Sequence, residues 1–360
     1  MSICIFIDRI DKADDNAEHL YRYIQKNFDS KKIYFILEKS SKDWNRLTDD
    51  SFNLVEYGSL KHLWLLLCAD YYFSSHLPKY HDMLIPKKIL KKIVHFKSIF
   101  LQHGITHNDI SDILNRHNLD YLITASSMEY LNFIKNSNYK IDKKRVILTG
   151  FSRFDTFFGD SKESTINTIL IMPTWRASFS SYSIEKKEIF KESRYYKEWS
   201  SLLNSSSFKR MVLEYGYNVI FIPHPEMDSF IDEINPPSYI KLISSKNSQL
   251  QKYLISSKIL ITDYSSIAFD MAIQKRAICY FHFDKKSFFT TSHLYKKSYF
   301  DYENDGFGDV CYNLTTLLLS IENILKNNGK SDKKYIKRVE SFFEYFDNSN
   351  SKRIIDAIRC

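Results

Sequence analysis

Short apolar runs rich in β-branched residues alternate along the chain with segments whose apolar positions recur at helical spacing. The runs predict strands covered on both faces, and the segments between them predict amphipathic helices. Strands joined by helices in this way form parallel βαβ units. The predicted strands are 2–7, 32–37, 53–57, 71–74, 99–101, 120–125, 145–148, 168–172, 218–222, 240–243, 259–261 and 276–281.

The alternation is interrupted by the polar segment 159–167 and then restarts. A chain of 360 residues has room for two domains of ordinary size. We therefore expect an α/β fold with one Rossmann-like domain over 1–160 and a second over 166–330, separated by a cleft. Helices are predicted over 315–327 and 333–358, and residues 331–360 are expected to pack back on the first domain.

Composition limits how this chain could hold a phosphate. It has only 8 glycines and 7 prolines, and neither G-x-G-x-x-G nor the P-loop motif occurs. A phosphate site would have to use hydroxyl groups, helix termini and cationic side chains. The net charge of +8 fits either an anionic partner or solubility alone. Nucleic acid is the least favoured partner, because the aromatic residues show no RNP-like or OB-like spacing.

The cysteines and the N-terminus bear on compartment. Five scattered cysteines form no C-x-x-C pair, which favours reduced thiols in the cytoplasm over zinc or disulfides. Charged residues Asp8 and Arg9 argue against a signal peptide, and no apolar run approaches the roughly 20 residues of a membrane span. The basic amphipathic segment 85–96 is either a solvated lysine face over a packed apolar stripe or a contact with an anionic membrane surface.

Four clusters follow predicted strands, at the sheet edge where open α/β folds bind ligands. His103 and Gly104 follow 99–101, and glycine there would let a backbone approach closely. The other clusters are Arg176, His224 and the hydroxyl-rich turn 262–266, which precedes a helix. A histidine at such a place can be a proton acceptor or a satisfied structural residue, and the turn can be a phosphate site or an ordinary helix cap.

Together these clusters suit a diphosphate. Arginine can fork onto phosphate oxygens, and histidine can take a proton from a hydroxyl near neutral pH. The sequence shows no Asp-x-Asp or His/Cys spacing typical of a metal site, so we predict no metal and no cofactor, with cationic side chains in their place.

The ordered set of motifs resembles the CDP-glycerol glycerophosphotransferase family, which includes teichoic-acid primases and polymerases and related capsule polymerases. The resemblance covers nearly the whole chain. The matching segments are 57–61 (YGSLK), 100–104 (FLQHG), 149–155 (TGFSRFD), 173–176 (PTWR), 223–225 (PHP), 262–266 (TDYSS) with Asp270, and 300–306 (FDYENDG).

The resemblance implies a GT-B fold and transfer of a polyol phosphate from a CDP-alditol to an acceptor hydroxyl, with release of CMP. His103 would be the general base. His224, as a second catalytic residue, and Arg176 would contact the donor phosphates. The acceptor would be a lipid-linked or glycan chain of a teichoic-acid or capsule type, and the protein would lie peripherally on the inner face of the cell membrane.

The resemblance also implies further donor contacts. Thr262, Ser265 and Ser266 would bind the pyrophosphate. Asp270 would hydrogen-bond the ribose, unless it only stabilises the helix dipole. Arg153 would contact the donor or pair with Asp155, and the family often has proline where Ser152 stands.

The main alternatives are a GT-B glycosyltransferase that uses a nucleotide-sugar and a non-catalytic subunit of a polysaccharide assembly complex. The polyol, the acceptor and the number of transfers stay open.

Overall fold

The computed structural model describes residues 2–28, 32–77, 93–159, 165–179, 184–244, 250–289 and 296–358. Its contacts divide the chain into two compact units. Unit 1 comprises Met1–Ile105, Ile110–Lys162 and Phe343–Cys360, and unit 2 comprises Thr106–Asp109 and Glu163–Phe342.

Two features distinguish this division from the predicted domains. A four-residue segment beginning directly after Ile105 is grouped with unit 2, and the C-terminal region is split after Phe342.

Unit 1 is built on a seven-stranded parallel sheet with the order β3-β2-β1-β4-β5-β6-β7. Its strands are β1 (Ile3–Ile7), β2 (Lys32–Leu37), β3 (Leu54–Glu56), β4 (Tyr71–Ser74), β5 (Lys97–Phe100), β6 (Tyr121–Thr124) and β7 (Val146–Leu148). The helices described in this unit are Asn16–Asn27, Asp43–Asp49, Leu60–Cys68, Ser111–Leu114, Ser127–Lys135 and Asn350–Ile358, with 3-10 turns at Lys143–Arg145 and Ser152–Phe157.

Unit 2 contains a six-stranded parallel sheet with the order β10-β9-β8-β11-β12-β13. Its strands are β8 (Ile166–Met172), β9 (Asn218–Phe221), β10 (Ile240–Leu242), β11 (Ser257–Thr262), β12 (Ala277–Phe281) and β13 (Asp309–Cys311). A short antiparallel ribbon joins Asn108–Asp109 to Lys296–Lys297. The helices described are Ile184–Glu192, Arg194–Leu203, Ser206–Glu214, Ile231–Ile234, Leu250–Ser256, Ile267–Ile273, Lys285–Ser287, Leu314–Lys326 and Lys333–Phe342, with 3-10 turns at Ala177–Phe179 and Pro225–Phe230.

Both sheets reverse their strand order beside the first strand. The reversal lies between β1 and β4 in unit 1 and between β8 and β11 in unit 2. In both units the strands bury apolar side chains under the helices, as Ile5 and Ile36 do in unit 1 and Ile171 and Ile261 do in unit 2. Ligands of open parallel sheets bind outside the carboxyl ends of the strands at such a reversal, and this positions the candidate sites described below.

The helix predicted over 333–358 is two helices, Lys333–Phe342 and Asn350–Ile358. The second begins where the Asp155 carboxylate accepts hydrogen bonds from the backbone N–H groups of Asn350 (2.7 Å) and Ser351 (2.9 Å). This distant cap starts a new helix, which periodicity alone did not reveal.

The basic segment predicted over 85–96 falls mostly within 78–92, outside the described residues. Its last residue, Phe96, packs against the unit 1 core. The membrane contact therefore stays a prediction. Across the described ranges, no helix combines the length and apolarity needed to cross a membrane.

Three largely buried histidines make stability depend on pH. Burial lowers the pKa of His19, His62 and His282 from the ordinary value of 6.5 to about 4. The unfolded chain takes up these protons near pH 6.5, whereas the folded chain does so only near pH 4. Their stabilising contribution is therefore complete above pH 6.5 and is lost as the pH falls towards 4.

We expect the free energy of unfolding to fall by about 3 kcal/mol per pH unit near pH 5. Burial raises the pKa of Asp8, which offsets part of this loss. Urea titrations at pH 7, 6 and 5 measure the effect, and His62→Gln should flatten it. An unfolding free energy that stays constant between pH 7 and pH 5 would contradict the prediction.

Candidate functional site

His103 follows β5 in a turn whose backbone is fixed from several sides. The preceding residue, Gln102, has φ 61°, a left-handed conformation that is uncommon for a side chain of this size. Its side-chain amide donates to the Ile123 carbonyl (2.7 Å) and the Glu129 carboxylate (3.0 Å), and its own carbonyl accepts from the Asn16 amide (2.7 Å). The structure thus holds a strained turn immediately before the candidate base.

Sequence reasoning expected Gly104 to let a backbone approach closely, and this stays a prediction. The left-handed residue of the turn is Gln102, while Gly104 is buried and has no such φ value. A glutamine gives no sequence signal for a left-handed turn, because its conformation here depends on hydrogen bonds to groups far away in the chain.

The imidazole of His103 stacks on that of His76, which follows β4, with ring centroids 4.5 Å apart and planes inclined by 10°. His103 is exposed to solvent as a residue. Desolvation by the surrounding protein and the positive charges of Arg153 and Arg9 lower its pKa to about 4. The ring is therefore neutral at pH 7 and able to accept a proton.

Arg153 is 2% exposed. Its guanidinium donates to the Asp15 carboxylate at 2.8 Å. The structure pairs it with Asp15, whereas the predicted alternative partner, Asp155, caps the C-terminal helix. With so little exposed surface, Arg153 is placed to hold the loop around Asp15 and to act electrostatically on His103. The structure does not support the predicted direct contact with a donor.

Arg176 also differs from its predicted role. The residue is 2% exposed. All five N–H groups are used: they donate to the carboxylates of Asp263 and Asp284 and to the carbonyls of Thr174 and Trp175 at 2.8–3.3 Å. Although burial alone would lower the pKa of Arg176, the two carboxylates raise it above its ordinary value. Arg176 therefore has no donor left for a phosphate.

Instead, Arg176 ties together the turns that follow β8, β11 and β12. Aromatic rings enclose its guanidinium, with centroids 4.8–5.8 Å from its central carbon: Tyr195, Tyr264, Phe283 and Phe288.

The hydroxyl-rich turn after β11 separates into buried and accessible parts. Thr262 is 0% exposed, and its hydroxyl donates to the Met172 carbonyl at 2.6 Å. It therefore joins β11 to β8, and its predicted phosphate contact is not supported. Ser265 and Ser266 are half-buried, and Ser266 occupies the N-cap position without a side-chain capping bond. The Ser265 hydroxyl accepts a hydrogen bond from the Ile267 backbone N–H at 3.4 Å. Both serines are partly accessible to solvent, and their contact with a phosphate stays a prediction.

Asp270 lies in the helix Ile267–Ile273 and is 1% exposed. A carboxylate that deeply buried is not placed to hydrogen-bond a ribose in this structure. Its position four residues after Ser266 brings it back to the same side of the helix as that serine.

His224 follows β9 and is half-buried. Its Nδ1 accepts a hydrogen bond from the Glu226 backbone N–H at 3.2 Å, so the neutral ring carries its proton on Nε2. The ring also stacks on Trp175, with centroids 6.1 Å apart. This tautomer can donate a hydrogen bond to a phosphate oxygen.

Thr174 lies beside the candidate site, and sequence reasoning did not single it out. It follows β8 and is 7% exposed, and its buried hydroxyl oxygen has no hydrogen-bond partner among the described residues. Its backbone N–H donates to the Asp263 carboxylate at 2.7 Å, which fixes its position. Thr174 follows one of the two strands at the order reversal of unit 2, and Ser265 and Ser266 follow the other. The strand order could have identified it, but that order is not visible in the sequence.

Comparisons with known proteins identify the family and the class of fold. Residues 2–359 match the family model described as CDP-Glycerol:Poly(glycerophosphate) glycerophosphotransferase. The minor teichoic acid biosynthesis protein GgaB of Bacillus subtilis (strain 168) is 35% identical over 369 residues, which cover 99% of this chain and 39% of that protein. A teichoic acid poly(ribitol-phosphate) polymerase of Bacillus spizizenii is 21% identical, covering 95% of this chain and 54% of that protein.

The chain thus spans about half the length of these curated relatives. Among solved structures, the wall teichoic acid polymerase TagF has a TM-score of 0.72 at 18% identity, covering 99% of this chain and 88% of that chain. UDP-GlcNAc 2-epimerase from Methanocaldococcus jannaschii has a TM-score of 0.59 at 12% identity, covering 100% and 99%. These likenesses confirm the predicted GT-B-like class of fold.

Proposed function

Because the chain belongs to the CDP-glycerol:poly(glycerophosphate) glycerophosphotransferase family, we propose that it transfers a polyol phosphate from a CDP-alditol to an acceptor hydroxyl and releases CMP. One observation carries the proposal beyond family membership. His103 stands after β5 with its ring neutral at pH 7, and the turn before it is fixed by three hydrogen bonds of Gln102. A neutral histidine held in this way is suited to take a proton from an acceptor hydroxyl.

In the proposed reaction, the acceptor oxygen attacks the β-phosphorus of the donor while its proton passes to His103. The new P–O bond forms as the bond between the β-phosphorus and the bridging oxygen breaks. CMP leaves with that oxygen, and the polyol phosphate stays on the acceptor. Charge on the transferring phosphoryl group and on the leaving phosphate must be stabilised for this step.

Unit 2 offers the groups for that stabilisation. We assign the pyrophosphate to the Nε2–H of His224 and to the hydroxyls of Ser265 and Ser266. They follow β9 and β11, at the carboxyl edge of the sheet of unit 2. Arg176 would act indirectly, by holding the turns after β11 and β12 through Asp263 and Asp284. The proposal includes no bound cofactor or metal, and the donor is a substrate.

A donor screen tests the function. Purified protein would be incubated with an acceptor and CDP-glycerol, CDP-ribitol or common nucleotide-sugars, and CMP and nucleoside diphosphates would be quantified. We expect CMP from at least one CDP-alditol. Release of a nucleoside diphosphate from a nucleotide-sugar would instead identify a glycosyltransferase, and absence of turnover with every donor would favour a non-catalytic subunit.

We also propose that the basic segment 85–96 contacts an anionic membrane, which would bring the protein to a lipid-linked acceptor. Lysines at four positions would supply the attraction to anionic lipids. Liposome sedimentation should show binding that is lost when Lys87, Lys88, Lys91 and Lys92 are replaced by glutamate. Equal binding of the wild type and this variant would remove the segment from the membrane contact.

A further inference from the structure

The segment Thr106–Asp109 begins two residues after Gly104 in the sequence, yet its contacts belong to unit 2. Asn108–Asp109 pairs with Lys296–Lys297 in the antiparallel ribbon. The chain therefore passes from His103 into a segment of unit 2 after only two intervening residues. His103 and His107 are four residues apart, so their Cα atoms are separated by at most about 14 Å of extended chain.

His107 anchors this segment. It is 7% exposed, and its Nε2 lies 3.0 Å from the Tyr302 hydroxyl and 3.1 Å from the Asn108 amide nitrogen. An amide nitrogen can only donate, so Nε2 is an acceptor and the Tyr302 hydroxyl donates to it as well. The ring of His107 also contacts Phe269 and Phe300, with centroids 5.3 and 6.2 Å away.

The groups that hold His107 also contact the turn that carries Ser265 and Ser266 in unit 2, which we call the serine turn. Phe269 donates its backbone N–H to the Ser266 carbonyl at 3.0 Å. The ring of Tyr302 packs edge-on against Tyr264, with centroids 5.8 Å apart, and Tyr264 immediately precedes Ser265. A continuous set of contacts therefore runs from the serine turn through Phe269 and Tyr302 to His107.

We propose that His107, fixed by Tyr302, is a positioning residue that couples the serine turn of unit 2 to the turn that carries His103. This inference rests on the proposed function, because it assumes that the serine turn holds the donor and that His103 acts on the acceptor. A donor seated on the serine turn would order Tyr264 and Phe269 and hence His107. The short connection from His107 would then restrict the position of His103.

Tyr302→Phe tests the coupling because it removes one hydroxyl and keeps the ring. With a CDP-alditol and an acceptor, we expect kcat to fall about fivefold to tenfold, as for loss of one buried hydrogen bond, while the donor KM stays within about twofold. In a His103→Asn background the same change should have no further effect, because His107 acts through His103.

Tyr239→Phe is the matched control. The Tyr239 hydroxyl donates to the Leu203 carbonyl at 2.8 Å, elsewhere in unit 2. The control should leave kcat and KM within about twofold of the wild type. An unchanged kcat for Tyr302→Phe, or an equal loss in the His103→Asn background, would overturn the inference.

A second measurement does not depend on turnover. Hydrogen exchange of the backbone amides in residues 101–109 would be followed with and without CMP. CMP should slow exchange in the wild type and in Tyr239→Phe but not in Tyr302→Phe. If no CDP-alditol is turned over, the proposed function fails, and this experiment still tests the coupling. Unchanged exchange in the wild type overturns the coupling whatever the donor screen shows.

Discussion

Replacing His103 by asparagine should lower kcat for CMP release by about 10²- to 10⁴-fold, the usual range for loss of a general base. Asparagine is similar in size and polarity but cannot accept a proton at pH 7. The fold should be retained, because the three hydrogen bonds that fix the turn belong to Gln102. Steady-state CMP release measures the loss, and calorimetric titration of the donor shows whether binding is preserved.

His117→Asn provides the matched control. His117 is half-buried and follows the helix Ser111–Leu114. The control should keep wild-type turnover. If His103→Asn also retained turnover within about threefold of the wild type, His103 would not be the base, since general-base catalysis contributes far more than that.

If His103 is the general base, the pH dependence of kcat/KM and kcat should reflect its protonation. Only the neutral ring accepts a proton, and the pKa of His103 is about 4. The acid limb of kcat/KM should therefore lie near pH 4 and not near 6.5. Bound phosphates favour the protonated ring, so the acid limb of kcat should lie at a higher pH than that of kcat/KM. In His103→Asn, the residual turnover should show no acid limb above the pH at which the variant unfolds.

Local sequence patterns predicted most of the two sheets because each strand is a short β-branched run bounded by turn residues. Lys32–Leu37 and Tyr71–Ser74 coincide with the structure. The local pattern did not predict elements that depend on contacts between residues far apart in the sequence. Asp309–Cys311 has no apolar run of its own and is a strand because it pairs with β12. The break in the C-terminal helix likewise depends on Asp155, almost 200 residues away.

The candidate site divides in the same way. Position after a parallel strand is a local property, and it correctly placed His103, His224 and the serines 265 and 266 at sheet edges. Accessibility is a long-range property. Arg176 and Thr262 have side chains suited to phosphate, but partners elsewhere in the chain occupy them. The position of Thr174 beside the turn 262–266 is also a long-range property, because it becomes visible only once β8 and β11 are known to be neighbours.

Arg176→Met should destabilise the protein by about 3–5 kcal/mol, because it leaves two buried carboxylates without their cation. Asp263 is 0% exposed and Asp284 is 7% exposed, so water cannot replace the lost interactions easily. Methionine fills a similar volume among the surrounding aromatic rings, which limits the cavity contribution. Urea unfolding of the purified variant measures the change in free energy.

Two further variants separate charge from packing. Arg176→Met combined with Asp263→Asn and Asp284→Asn should recover part of the lost stability, because the buried charges are removed together. Arg194→Met removes an arginine whose side chain is 63% exposed and should change stability by less than about 0.5 kcal/mol. Arg176→Met could instead unfold like the wild type but lose affinity for the donor. Arg176 would then contact the donor phosphates, as the family resemblance implied, and its ion pairs with Asp263 and Asp284 would rearrange when the donor binds.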